Sequence, residues 1–154
     1  MSIIDNQFGN LIKARNLMLS LIKDLSIDQL NKIPDGFKNN IAWNIGHLVV
    51  TQQLLCYRNA GLPCLVSDQM IESYKKGTIP VEKITIQDFE EIKSLFLSLP
   101  EVFEKDYNNG LFKQYKAYPT STGIVLSDIA TAIKFNFFHE GIHLGVLMAL
   151  KKLV

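Results

Sequence analysis

Two of the three histidines in this chain, His139 and His143, lie four residues apart in an apolar segment whose pattern predicts a helix. Because an α-helix turns once in about 3.6 residues, both imidazoles project from one face and can bind the same metal ion. The third histidine, His47, lies far upstream in another apolar helical pattern. Three imidazoles brought together by the fold would leave a coordination position for water or substrate, as catalytic metal sites do.

The alternative is that each histidine is an ordinary buried residue, hydrogen-bonded to a neighbour. A buried imidazole without a metal needs partners for both ring nitrogens, so three such groups converging without a shared ligand would cost free energy. The spacing therefore supports a metal site, and three ordinary buried histidines remain the alternative. Neutral imidazole suits Zn, Ni, Cu or Fe, and ligand type alone does not choose among them.

Several polar and aromatic residues lie close to the histidines in the sequence. Glu140 follows His139 directly and points about 100° away from it around the helix, which favours a place beside the ligands or at the surface over a role as general base. Asn44 and Asn136 each precede a proposed ligand by three residues and can orient imidazoles or water, or simply pack or face solvent. Trp43 is expected in the core, with a pocket wall as its second role.

The remaining candidates are weaker. Arg15 interrupts the apolar stripe of the first helix; we expect its charged end to reach the surface, and binding of an anionic substrate is the alternative. Cys56 and Cys64 are expected to be free thiols, and Cys56 has no activating neighbour that would make it a nucleophile. Gly141 and Gly145 each cost about 1 kcal/mol of helix stability, which suggests close helix packing, room for a ligand or a dimer contact.

Composition narrows the class of protein. The 154 residues fit one domain spanning 1–154, and 47% hydrophobic and 20% charged residues are typical of a folded protein. With 16 basic and 15 acidic residues there is no basic stripe to bind nucleic acid. Residues 1–7 lack the pattern of a signal peptide and no apolar run would span a membrane, so we expect a cytoplasmic location.

Apolar residues recur at every third or fourth position in four segments, which predicts four long helices. These begin at Ile4, after a cap at Asn39 or Asn40, near Ile86 after a Thr85–Asp88 capping box, and after a cap at Ser127. Pro100 removes a backbone donor and clashes with the preceding turn, so the third of these helices must kink or break there.

Shorter elements connect the long helices. Ser26 with Gln29 resembles a capping box that starts a short helical turn, and Ser67 can cap another short helix. Residues 107–123 are expected to form an irregular crossing, and no segment has the period of a strand. The predicted fold class is all-α: a four-helix bundle with long crossing connections and a short extra helix, a scaffold whose core often holds metals.

Three motifs carry a resemblance to a known family. They are the segment from Trp43 to Leu48 with its Trp, three residues and His-Leu, the Gly77-Thr78 turn, and the His139-x-x-x-His143 pair followed by Gly145. By these motifs the whole chain resembles the DinB-like (DinB/YfiT) superfamily of four-helix-bundle proteins. The resemblance implies a divalent transition metal, Zn, Ni or Fe, bound by His47, His139 and His143, with water completing the site, and often a homodimer.

The same resemblance indicates a class of reaction. Members of the family include transferases and isomerases that use low-molecular-weight thiols, so thiol-dependent transfer to or from a small-molecule substrate is the leading expectation. Hydrolysis of a small amide or ester is an alternative that would need a carboxylate base, for which Glu140 is the nearby candidate. A non-enzymatic bundle with a structural or stress-related metal is a further alternative, and so is a fold whose histidines bind nothing.

Overall fold

The computed structural model describes residues 5–154, so the predicted helix start at Ile4 lies outside the described residues. In chain order the helices are α1 (Asp5–Ile22), α2 (Ile27–Asn31), α3 (Ile41–Gln52), α4 (Asp68–Tyr74), α5 (Ile86–Asn108) and α6 (Ile129–Leu150). A π-helical turn, Gln53–Tyr57, and a 3₁₀ turn, Arg58–Ala60, extend α3. Among the described residues, no helix is long and apolar enough to cross a lipid bilayer.

The four long helices pack as a bundle. Both α1 and α3 lie against α5 and α6, while the short α2 and α4 lie against α3. The core between them is apolar, with Met18, Ile45, Leu48, Phe96 and Leu147 all inaccessible to solvent. The prediction of an all-α four-helix bundle is confirmed. Because α3 and α6 are neighbours, residues far apart in the sequence can meet at their interface.

Most of the helix starts follow the predicted capping residues. Side-chain oxygens of Ser26, Asn40, Ser67 and Thr85 each accept a hydrogen bond from a backbone N–H in the first helical turn.

The predicted cap of α6 at Ser127 is wrong by one residue. The cap is Asp128, whose side chain accepts from the Thr131 backbone N–H while the Thr131 hydroxyl lies against the Asp128 backbone N–H. The Ser127 hydroxyl donates to the Asp128 carboxylate. Asp128 has this reciprocal partner in Thr131, and it therefore starts the helix.

The third long helix, α5, does not break at Pro100, because the helix continues through it to Asn108. Proline has no N–H to donate to the carbonyl four residues earlier, which belongs to Phe96. That carbonyl accepts instead from Nη1 of Arg15 on α1, at 2.7 Å. A buried cation from a neighbouring helix thus replaces the hydrogen bond that the proline removes.

The predicted irregular crossing between α5 and α6 contains a small β-ribbon that sequence patterning did not predict. Strands β1 (Tyr118–Pro119) and β2 (Val125–Leu126) pair antiparallel, with Tyr118 opposite Leu126. Gly123 provides the positive φ, +84°, that the connecting turn needs. Strands of two residues are too short to show an alternating pattern, so neither strand could be predicted from the apolar spacing.

Candidate metal centre

The interface of α3 and α6 brings the three histidines together. His47 of α3 and His139 and His143 of α6 each offer a ring nitrogen within 4.8 Å of the other two. Their ring centroids lie 4.5 Å apart for His139 and His143, 4.9 Å for His47 and His143, and 5.3 Å for His47 and His139. This cluster could hold a metal ion.

The tautomer of His47 is set by a backbone carbonyl. Nδ1 of His47 lies 2.7 Å from the carbonyl oxygen of Tyr74, at the end of α4. A carbonyl only accepts, so Nδ1 carries the proton and Nε2 keeps its lone pair for a metal. The indole of Trp43 stacks on this imidazole, with ring centroids 4.5 Å apart, and its Nε1 donates to the Thr78 hydroxyl.

The tautomer of His143 is set by Asn44, across the helix interface. Nδ1 of His143 lies 2.7 Å from Oδ1 of Asn44. The amide of Asn44 cannot turn round, because its Nδ2 donates to the backbone carbonyl of Asn40 at 2.7 Å. His143 therefore carries its proton on Nδ1 and has a free lone pair on Nε2. Such partners beyond the ligands commonly orient metal-binding imidazoles.

His139 differs from the other two, because within the described residues its buried Nδ1 has no hydrogen-bond partner. Its ring lies nearly parallel to that of Phe135, at an interplanar angle of 18°. The orientation of this imidazole rests on packing within α6, and no neighbouring group selects its tautomer.

Burial keeps the cluster uncharged at neutral pH. Desolvation lowers the pKa of His47, an effect opposed in part by its hydrogen bond to Tyr74. Desolvation, followed by repulsion from His47, lowers the pKa of His139 to about 4. Desolvation, followed by repulsion from His139 and His47, lowers the pKa of His143 to about 3. Neutral imidazoles are the form that binds a metal, so the site is ready for a cation without losing protons.

Glu140 lies in the interior and not at the surface. It is fully buried and paired with Arg15, with its Oε1 2.6 Å from Nη2 and both carboxylate oxygens 3.1 Å from Nε. Asn136 adds a contact from its Nδ2 to Oε1 at 3.3 Å. A carboxylate engaged in this way is not free to act as a general base, and it does not join the histidine cluster.

The expectation that Arg15 reaches the surface is wrong, because the residue is completely buried. Besides Glu140 and the Phe96 carbonyl, its guanidinium donates to Oε1 of Gln52 at 3.0 Å and lies over the Phe96 ring. These buried hydrogen bonds and the carboxylate charge compensate the guanidinium for its loss of hydration.

Two other sequence expectations change at this interface. Asn136 contacts Glu140 and no histidine, so the structure does not place it on a ligand. Among the described residues, Gly141 and Gly145 are not packed closely against another helix, since a Cβ at either would meet nothing within 4 Å. Both glycines are exposed on the outward face of α6.

The cysteines do not contribute chemistry to the cluster. Cys56 is fully buried, and burial raises the pKa of its thiol, which keeps it protonated. Cys64 is a second free thiol on the segment after α3. The absence of an activated cysteine agrees with the prediction made from sequence.

Sequence reasoning missed three residues that shape the site. A Cβ at Gly46 would lie 2.5 Å from Cδ1 of Tyr74, so only glycine lets α4 approach α3 closely enough for the Tyr74 carbonyl to reach His47. Thr51, one turn after His47, places its hydroxyl 3.3 Å from Nε2 of that histidine. Gly46 could have been found because it directly precedes His47. Thr51 could have been found because it follows His47 by four residues and so lies on the same face of α3. The Tyr74 carbonyl has no sequence signal.

A surface groove of about 1150 Å³ lies next to this region. Trp43, Tyr74 and Thr78 line it, together with apolar residues of α4 and α5, but none of the histidines does. Trp43 therefore contacts both the groove, which it lines, and His47, on which it stacks.

The family model for the DinB superfamily matches residues 10–147. The chain belongs to the DinB superfamily. No curated protein matches the sequence significantly. The match spans α3 and α6, so it includes all three histidines of the cluster in this DinB-superfamily protein.

Proposed function

We propose that this DinB-superfamily protein is a divalent-metal-dependent enzyme that transfers a low-molecular-weight thiol to or from a small-molecule substrate. The observation that carries the proposal is the cluster of three neutral imidazoles, two of which present Nε2 lone pairs because Tyr74 and Asn44 hold their Nδ1 protons. Three protein ligands leave a position for an exogenous group, as in catalytic sites.

The donor set fits a transition metal. Imidazole suits Zn, Ni or Fe, whereas Mg²⁺ and Ca²⁺ prefer oxygen, and no carboxylate of residues 6–154 joins the cluster. A bound divalent cation would supply Lewis acidity, lowering the pKa of a thiol or water that coordinates it. The chain itself holds the imidazoles neutral, fixes two of them in orientation and surrounds them with apolar groups.

Thiol chemistry is favoured over hydrolysis by the state of Glu140. A metal-assisted hydrolase usually needs a base near the attacking water, and the carboxylate nearest in sequence is engaged by Arg15 and Asn136. A thiol needs no such base, because coordination to a metal is enough to remove its proton. The absence of a free carboxylate therefore weighs against the amide or ester hydrolase alternative.

A purely structural metal is the non-enzymatic alternative. It predicts a chain that unfolds when the metal is removed. The apolar core and the buried Arg15–Glu140 pair join the helices through contacts that need no metal. Thermal melting with and without a chelator separates the two, since an enzyme of this type stays folded after the metal is removed.

The experiment that tests the proposed reaction is a screen of the metal-loaded protein. Panels of small electrophiles and low-molecular-weight thiols are incubated with it, and mass spectrometry of the small-molecule fraction detects thiol adducts. We expect adducts to form with the parent protein. We expect none after the metal has been removed with a chelator, and none with a His47→Ala variant. Equal adduct formation in all three samples would contradict the proposal.

We also propose a cytoplasmic homodimer that binds neither nucleic acid nor membrane. Support for the dimer comes from α6, whose outward face is apolar although none of the described residues covers it. Phe138 is 50% exposed and Ile142 45% exposed, with Gly141 and Gly145 beside them. A helix that is apolar all round is normally buried on every side.

A further inference from the structure

The hydroxyl of Thr51 is placed unusually for a helical residue. Serine and threonine in helices commonly bond back to a carbonyl of the preceding turn, as Ser73 does to Gln69 and Ser20 does to Leu17. Thr51 instead places Oγ1 3.3 Å from Nε2 of His47, one turn earlier on α3. The half-buried hydroxyl therefore lies at the histidine cluster and not along the helix backbone.

The direction of this hydrogen bond follows from the other side of the ring. Nδ1 of His47 donates to the Tyr74 carbonyl, so Nε2 has a lone pair and no proton. The Thr51 hydroxyl must then be the donor. That lone pair is also the one that His47 would give to a metal, so the hydroxyl and the metal compete for the same electrons.

We propose that Thr51 is a positioning residue for the exogenous ligand that completes the site. If the Nε2 lone pair of His47 were taken by a metal, the hydroxyl would lose its acceptor, and it would be free to donate to the sulfur of a small-molecule thiolate held at the same site. No other side-chain donor lies within hydrogen-bond distance of the ligand nitrogen of His47 or His143 in the described residues. The inference rests on the proposed function, because it requires the three histidines to bind a metal.

The test uses the intact protein loaded with Co²⁺, whose visible and near-ultraviolet spectrum reports both metal and thiolate binding. Thr51→Val removes the hydroxyl and keeps the shape, whereas Thr51→Ser keeps the hydroxyl. Each is titrated with cobalt and then with 2-mercaptoethanol. We expect all three proteins to bind cobalt, and the Val variant to bind the thiol at least about tenfold more weakly than the parent and Ser proteins.

The possible outcomes separate this inference from the proposed function. Equal thiol affinity in the parent and Val proteins would overturn the role of Thr51 and leave the metal site standing. Loss of cobalt binding in the Val variant, with retention in the Ser variant, would overturn it too, because the hydroxyl would then support His47 instead of the ligand. Failure of the parent to take up cobalt would overturn the proposed function and this inference together.

Discussion

For two of the three histidines, a single hydrogen bond decides which ring nitrogen can bind a metal. The carbonyl of Tyr74 and the amide oxygen of Asn44 each hold an Nδ1 proton, and this leaves Nε2 available on His47 and His143. From its spacing to His47, Asn44 could either orient an imidazole or simply pack or face solvent, and the structure places its side-chain oxygen against His143. The Tyr74 carbonyl could not be predicted, because any residue type supplies the same backbone group.

Replacing Asn44 should weaken metal binding with little loss of fold. Asn44→Leu removes the acceptor of His143 Nδ1, so the imidazole loses its fixed orientation, and we expect metal affinity to fall about 10- to 100-fold. Competition with a chromogenic chelator measures the change. Asn136→Leu is the matched control, since this buried amide contacts Glu140 and no histidine. Equal losses in the two variants would contradict the role given to Asn44.

The buried pair of Arg15 and Glu140 should contribute to the free energy of unfolding. Glu140→Gln leaves the guanidinium charge without its counterion in a fully buried place, so the free energy of unfolding should fall by about 3–5 kcal/mol. Urea denaturation measures it. The control is Glu90→Gln in the exposed pair with Lys93, where we expect a change under about 1 kcal/mol. A small effect at Glu140 would show that the pair is not buried as described.

At the scale of helices, caps and apolar spacing were enough to predict most of the elements. Ser26, Asn40, Ser67 and Thr85 begin helices as expected, because a cap depends on residues within one turn. The continuation of α5 through Pro100 could not be predicted. It depends on Arg15 from another helix reaching the Phe96 carbonyl, and such a partner has no local signal.

The close approach of α4 to α3 depends on Gly46. Gly46→Ala would place a methyl group 2.5 Å from the Tyr74 ring, push α4 away and lengthen the bond between Tyr74 and His47. We expect metal affinity to fall at least about tenfold and unfolding free energy to drop by about 1–3 kcal/mol.

Gly9→Ala provides the control for this substitution. A Cβ at Gly9 in α1 meets nothing within 4 Å, so alanine there should raise stability by up to about 1 kcal/mol through its helix propensity and leave metal affinity unchanged. Isothermal titration and urea denaturation measure both quantities. A Gly46→Ala protein with the parent's metal affinity would contradict the proposed packing role.

For the whole molecule, the sequence was sufficient to predict an all-α bundle and a meeting of three histidines. It could not predict that Arg15 and Glu140 are buried partners, because each charge is tolerated in the interior only through the other, and they lie on different helices. When each charged residue is considered without its partner, the sequence favours a position at the surface.

The outward face of α6 should mediate assembly. Ile142→Glu places a charge in that apolar face, and we expect sedimentation velocity to show a shift from dimer to monomer. Val102→Glu is the control, since Val102 is also partly exposed but belongs to α5 and not to the apolar face of α6. A parent protein that sediments as a monomer would contradict the dimer.

The most direct test of the metal centre is the metal content of tag-free protein, measured by plasma mass spectrometry beside a His143→Ala variant. We expect about one equivalent of a transition metal in the parent and almost none in the variant, because two imidazoles bind a cation far more weakly than three. A parent protein that holds no metal, and takes up none of Zn, Ni, Mn or Fe(II) when these are added, would contradict the metal centre and the enzymatic function proposed from it.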